Sequence, residues 1–155
     1  MVPGMRVFED LDDLVSSVGA VLGPTPWRRI DENAAARFAS SVAPERGARL
    51  LLEAECDVVR PDFLLSLIPV FVMQMRRIRG MRSGVNYGAD RVVFPAAVRI
   101  GDRVRARSTI TAVEWTGPAS VALVASTVVE ACRDEVECGP HPIAVRGDLL
   151  SRIYC

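Results

Sequence analysis

The residues best suited to chemistry stand at the entry to a long apolar segment, as Arg60-Pro61-Asp62. A carboxylate such as Asp62 can serve as a general acid or base, and an arginine such as Arg60 binds carboxylate, carbonyl or phosphate oxygens. The same residues also have structural uses, since Pro and Asp favour the first turn of a helix and Arg60 could pair with Glu55, Asp57 or Asp62. The sequence leaves both interpretations open, with Asp62 as a candidate catalytic residue.

A second polar group, Asn86-Tyr87, follows the apolar segment. Tyr87 is the other candidate catalytic residue, and Asn86 could present its amide to a ligand. Asparagine at such a position more often satisfies a turn and the neighbouring backbone. Both a ligand-binding and a turn-forming role are therefore carried forward.

Histidine and cysteine offer little further chemistry. The chain has one histidine, His141, between two prolines, where a structural role is more common than catalysis, although histidine can act as a general acid or base. Cys132 and Cys138 are too far apart for a Cys-x-x-Cys zinc knuckle. The sequence therefore predicts no metal site, and nothing in it indicates a cofactor.

The charges argue against nucleic acid as a partner. Nineteen basic residues balance nineteen acidic ones, and every basic residue is an arginine. A chain without net charge provides no field for holding a polyanion. One local cluster, Arg76, Arg77 and Arg79, could meet the phosphates of coenzyme A or of a phosphopantetheine arm, or could simply complement the dipole of a helix end.

The same sequence predicts a cytoplasmic protein without a membrane partner. Its beginning is acidic within a dozen residues and lacks the apolar core of a signal peptide. The longest apolar run has about half the length that a membrane helix needs. In the cytosol its four cysteines are expected to remain thiols.

The element that must position the candidate residues is the segment 59–95. Its first half carries apolar residues nearly all the way round a helix, which predicts a buried helix, and Pro69 inside it predicts a kink. From Val85 onward the segment is predicted to form a turn and then a strand. A buried helix followed by long strands indicates one helix wrapped by one sheet.

The remaining elements complete a single α+β domain over residues 1–155. Residues 8–18 are predicted as a short helix or extended lead-in, 21–30 as an edge or first strand, and 43–57 as a helical turn. Asp31 is expected to cap a helix over 32–41. Val-, Ile- and Thr-rich stretches predict strands at 89–98, 102–115, 120–131 and 137–146. In 104–113, apolar and polar residues alternate, as in an antiparallel sheet with one covered face.

Several stretches, in order, resemble the MaoC-like hydratase/dehydratase family. They are FEDLDDLVSSVG, GPTPWRRIDENAAARFA, FLLSLIPVF, GVNYGADRVVFPAAVRIGDRVRARSTITAVE and TVVEACRDE. The resemblance implies a hotdog fold, in which an antiparallel sheet wraps a long central helix. It further implies a dimer that binds an acyl chain as a thioester on coenzyme A or on a carrier protein, and chemistry at the 2,3 position of the acyl group.

The chain departs from that family where the chemistry would occur. Members carry an Asp and a His shortly after the helix that matches AAARFA, whereas this chain reads FASSVAPERGA and lacks both. Arg60 and Pro61 stand where the family has His-Gly, and proline has no N–H to hold a thioester carbonyl. Ser66 matches a serine that lines the family's pocket, and Asn86-Tyr87-Gly88 is intact. Arg60, Ser66, Asn86 and Gly88 are accordingly the predicted substrate-binding residues.

Two functions follow from the resemblance and its departures. One is an enzyme with repurposed lyase, cyclase or isomerase chemistry on an acyl-CoA, an acyl carrier protein or a polyketide-derived molecule, run largely by orientation of the substrate. The alternative is a non-catalytic subunit that binds acyl ligands or pairs with an active MaoC-like dehydratase, as a homodimer or heterodimer. A thioesterase using Asp62 is a third, weaker idea. If Arg60 and Asp62 face a closed pocket, the enzyme is favoured; if they pair at the surface, the subunit is favoured.

Overall fold

The computed structural model describes residues 4–42, 57–133 and 140–155. Its helices are α1 Leu11–Val15, α2 Glu32–Val42, α3 Pro61–Ser66 and α4 Ile68–Met75. Its strands are β1 Arg6–Phe8, β2 Val21–Leu22, β3 Arg28–Arg29, β4 Arg76–Ile78, β5 Ser83–Val93, β6 Arg103–Gly117, β7 Ser120–Cys132 and β8 Ile143–Tyr154. None of the helices in these residues combines the length and the apolar character required to cross a membrane.

One antiparallel sheet dominates the fold. Its strands follow the order β2-β6-β7-β8-β5, and β3 pairs with β6 beside β2. The alternation predicted for residues 104–113 is confirmed over its first half, where Val104, Ala106, Ser108 and Ile110 are all buried. The apolar face of the sheet packs on the α3–α4 segment, which forms the core. Strand β4, which directly follows α4, pairs in parallel with β1 to form a separate two-stranded sheet.

The central helix is interrupted, as the proline in its sequence predicted. α3 ends at Ser66 and α4 begins at Ile68, with Pro69 in the first turn of α4, where its missing N–H costs no helical hydrogen bond. The expectation that the segment is buried on every face is wrong. Val70 and Met73 are 40% and 74% exposed, so one face of the helix has no cover from the described residues of this chain.

Strand β5 begins earlier than the sequence indicated. The predicted strand at 89–98, preceded by a turn from Val85, is instead a strand over Ser83–Val93 that contains the Asn86-Tyr87-Gly88 group. Among the described strands it pairs with β8 alone and so forms the edge of the sheet. The register shifts between Asn86 and Gly88, which leaves Tyr87 unpaired in a bulge. Nearly every β5 residue is exposed.

The cap at Asp31 and the strand character of residues 21–30 are confirmed, whereas the last predicted strand is displaced along the chain. Asp31 caps α2, where its Oδ1 accepts the N–H of Ala34 at 2.8 Å, and residues 21–30 provide the two short strands β2 and β3. The strand placed at 137–146 runs instead over Ile143–Tyr154. Of that stretch, 137–139 lie outside the described residues, and so does 43–56 of the helical turn predicted at 43–57.

Candidate functional site

Arg60 and Asp62 pair with each other at the start of α3. Arg60 Nε lies 3.0 Å from Asp62 Oδ1 and Arg60 Nη2 lies 2.5 Å from Asp62 Oδ2, a two-point contact between guanidinium and carboxylate. The Phe63 N–H also donates to Asp62 Oδ1, at 3.1 Å. The two side chains are 36% and 45% exposed. The pair therefore sits at the surface of the described chain.

This pairing decides what Asp62 can do with a proton. The hydrogen bond from Arg60, helped by its positive charge and by the N–H of Phe63, lowers the pKa of the Asp62 carboxyl. A general base works best when its pKa lies near the operating pH. Asp62 is thus an ionised, hydrogen-bonded carboxylate with weak basicity, and Arg60 has its charge satisfied.

Ser66 lies one helical turn further on and is exposed. Its Oγ donates to the carbonyl of Phe63 at 2.6 Å, a bond within the helix. Pro61 at the first position of α3 contributes no N–H. In this chain the start of the helix thus presents neither a free hydroxyl nor an N–H at Pro61 for a thioester carbonyl.

An open groove lies at the opposite end of the helix. Its volume is about 970 Å³, and it is bounded by α4, β1, β4, β5 and β8. Apolar side chains form most of its wall, among them Val7, Val72, Met73, Met81 and Ile153. Its polar wall residues include Arg76, Asn86 and Ser151. A largely apolar wall with a few polar groups is typical of a ligand-binding site.

The Asn86-Tyr87-Gly88 group is divided between the two faces of β5. Asn86 faces the groove, where its Oδ1 accepts the hydroxyl of buried Ser151 at 2.7 Å. Tyr87 is 56% exposed, with the Arg152 guanidinium 5.9 Å from its ring centre. A Cβ at Gly88 would stand 3.4 Å from Leu150 Cδ1. Within one chain, Tyr87 therefore does not face the same space as Asn86.

The predicted site residues accordingly fall into separate places. Arg60, Asp62 and Ser66 lie at the N-cap of α3 or within it, and Asn86 lines the groove together with α4 residues from Pro69 onward. The sequence reasoning did not single out Ser151. It flagged the cluster containing Arg76, but periodicity could not tell which of the three arginines turns inward.

His141 occupies a structural contact. Its ring meets that of Trp27 edge to face, with 5.0 Å between the ring centres. Among the residues the structure covers, no group of three or more His, Cys, Asp or Glu side chains is arranged to hold a metal ion. Cys132 is buried, and Cys138 lies outside the described residues.

Comparison with known proteins places this geometry in context. The chain is 34% identical over 134 residues to 3-hydroxyacyl-thioester dehydratase Z of Mycobacterium tuberculosis, a match that covers 81% of this chain and 87% of that protein. No family model matches the chain.

Solved structures share its fold at lower sequence identity. A MaoC-like dehydratase from Rhodospirillum rubrum superposes with a TM-score of 0.65 at 15% identity, covering 94% of this chain and 96% of the other. The HadBC 3R-hydroxyacyl-ACP dehydratase complex of Mycobacterium tuberculosis superposes with a TM-score of 0.58 at 18% identity, covering 88% and 96%. The α+β hotdog fold expected from the resemblance is confirmed.

Proposed function

The chain belongs to the MaoC-like hydratase/dehydratase family, and we propose that it serves as an acyl-thioester-binding subunit without acid–base chemistry of its own. The observation that carries this proposal is the surface pair of Arg60 and Asp62. Of the groups predicted to replace the family's acid and base, Asp62 is ionised and held by Arg60 at two points. A carboxylate in that state is a poor proton acceptor near neutral pH.

The sequence around the expected catalytic loop supports the same proposal. By resemblance, the family's Asp and His follow the helix that corresponds to α2, and this chain continues Ser40-Ser41-Val42-Ala43-Pro44 with neither residue. Its single histidine, His141, packs on Trp27. A subunit of this kind keeps the fold and the ligand-binding surface while the acid–base pair is lost.

The exposed surfaces of the fold support pairing with a second chain. Strand β5 is an 11-residue edge that offers unpaired backbone groups together with exposed Val85, Tyr87 and Val93. Such an edge is a template for another strand. A second copy is the partner we propose, and an active MaoC-like chain is the alternative, since the related fold of HadBC is named as a complex.

A second candidate function is orientation-driven chemistry in the groove. It is favoured by the hydrogen bond from Ser151 to Asn86, which fixes a polar amide in an apolar wall. Holding an acyl or polyketide-derived chain near its reactive conformation removes part of the entropic barrier to cyclisation or isomerisation. The substrate-binding role of Asn86 is common to both candidates.

Equilibrium dialysis with crotonyl-CoA tests the proposal. The purified chain is expected to retain crotonyl-CoA more strongly than free coenzyme A, because the acyl group gains apolar contacts, and the bound thioester should be recovered unchanged. Equal retention of the two compounds would contradict an acyl-binding role. Recovery of a hydrated product would contradict the absence of acid–base chemistry.

A further inference from the structure

Arg76 has a guanidinium nitrogen from which no described residue accepts a hydrogen bond. It is the first residue of β4, directly after α4, and its side chain lines the groove. Its Nη1 is buried and has no hydrogen-bond partner among the described residues. Burial lowers the pKa of its guanidinium to about 10, so the group remains charged near neutral pH. Leaving one buried nitrogen of a charged guanidinium without a partner is unfavourable.

The neighbouring residues of the groove wall do not supply a carboxylate to pair with Arg76. Arg79, also in the groove wall, pairs with Glu9 at 3.2 Å between Nε and Oε2, and Arg77 is exposed to solvent. The described residues that line the groove include no aspartate or glutamate. The groove wall, which also includes Arg77 and Arg79, is therefore positive, and Arg76 is the most buried of these three cations.

The rest of the wall restricts the kind of anion that fits. Val72, Met73, Met81 and Ile153 offer aliphatic and thioether surface beside the guanidinium. Methionine adapts its shape to flexible chains. A bare inorganic anion would leave this apolar surface unused, whereas an anionic group attached to an aliphatic chain contacts both parts.

We propose that Arg76 is the anion-recognition residue of the groove and binds a carboxylate or phosphate carried on an aliphatic chain. The proposal rests on the acyl-binding function above and specifies its ligand. The anion is either a carboxylate on the acyl chain or the phosphate of a pantetheine arm, and both present oxygens that match the guanidinium fork.

Titration calorimetry on the full chain separates the two sources of anion. Octanoate is compared with 1-octanol, and pantetheine 4′-phosphate with pantetheine. The protein variants are Arg76→Met, which keeps much of the side-chain volume, and Arg28→Met as the matched control at an exposed arginine of β3 that does not line the groove. This measurement needs no turnover, so its outcome is independent of whether the chain catalyses a reaction.

The wild-type chain should bind at least one anion more tightly than its neutral counterpart, and Arg76→Met should weaken that binding about tenfold to a hundredfold. Arg28→Met should change it less than about twofold. The melting temperature of ligand-free Arg76→Met should equal or exceed that of wild type, since a buried guanidinium nitrogen without a partner is removed. Equal affinity in wild type and Arg76→Met, or no binding of either anion, would overturn the proposal. So would dissociation of an Arg76→Met dimer, since it would assign the guanidinium to a partner chain.

Discussion

Among single residues, the proposed absence of acid–base chemistry depends on the ion pair between Arg60 and Asp62. Each member had two interpretations in the sequence, one chemical and one structural. The structure brings them together through two hydrogen bonds at a half-exposed position. The contact uses both oxygens of the carboxylate, which supports the structural interpretation of both residues.

The pH dependence of stability tests this pair. The folded-state pKa of Asp62 lies below its ordinary value of 3.8, so the ionised form stabilises the fold above that value and the contribution is lost as pH falls through the folded-state pKa. Asp62→Asn should lower the free energy of unfolding by up to about 1 kcal/mol at pH 7, because exposed pairs contribute little. Urea denaturation at several pH values measures the difference, which should shrink below pH 3.8.

The matched control for this comparison is Asp57→Asn, which changes an exposed carboxylate near the start of the same segment. It should leave the unfolding free energy nearly unchanged at every pH, since no hydrogen bond or ion pair between described residues involves its carboxylate. If the stability loss in Asp62→Asn is as large at about pH 2 as at about pH 7, the ion pair is not its cause.

At the scale of elements, the sequence predicted those whose signal is local. Asp31 was identified as a cap because its carboxylate can reach the free N–H groups of the following turn, and it accepts from Ala34. The alternation in β6 was visible because one face of the sheet is covered. Pro69 correctly predicted an interruption of the helix, which falls between α3 and α4.

What the sequence did not predict depends on contacts distant in the chain. The Asn86-Tyr87-Gly88 group has the composition of a turn, yet β8 pairs with it and a bulge accommodates Tyr87. The exposed face of α4 cannot be told from a buried one by composition, since Met73 is as apolar as its buried neighbours. Likewise, only the packing around Arg76 distinguishes it from Arg77.

The approach of β2 to the helix end gives a prediction for Gly23. This glycine has φ +90°, and a Cβ there would stand 2.8 Å from both the Ala106 carbonyl oxygen and Met75 Sδ. Gly23→Ala should therefore lower the free energy of unfolding by about 2–4 kcal/mol, through backbone strain and overpacking together. Urea denaturation measures the loss.

Gly19→Ala is the matched control, because Gly19 also has φ +90° but a Cβ there would meet nothing within 4 Å. It isolates the backbone strain and should cost only about 1–2 kcal/mol. Equal losses for the two variants would show that the space around Gly23 is not restricted by Ala106.

For the whole molecule, the proposed pairing of two copies depends on the exposed edge of β5. Val85 is 52% exposed on that edge. Val85→Lys should raise the dissociation constant of a homodimer about tenfold or more, because a symmetric interface receives the charge twice and must desolvate it. Light scattering over a dilution series measures the constant.

Val18→Lys provides a control with the same 52% exposure at a residue outside the sheet. It should leave the dissociation constant within about twofold of wild type, since an isolated exposed apolar residue carries no interface. Equal weakening by both substitutions would assign the effect to net charge and contradict pairing through β5.

This chain has the family's fold, and we propose that it has no acid–base chemistry of its own. The most direct test is the hydration of crotonyl-CoA by the purified protein, with its oligomeric state determined by light scattering in the same sample. We expect a well-folded dimer that binds the thioester and hydrates it no faster than buffer alone. Turnover that co-purifies with the chain and is abolished by Asp62→Asn would contradict it, since the carboxylate paired with Arg60 would then be the working base.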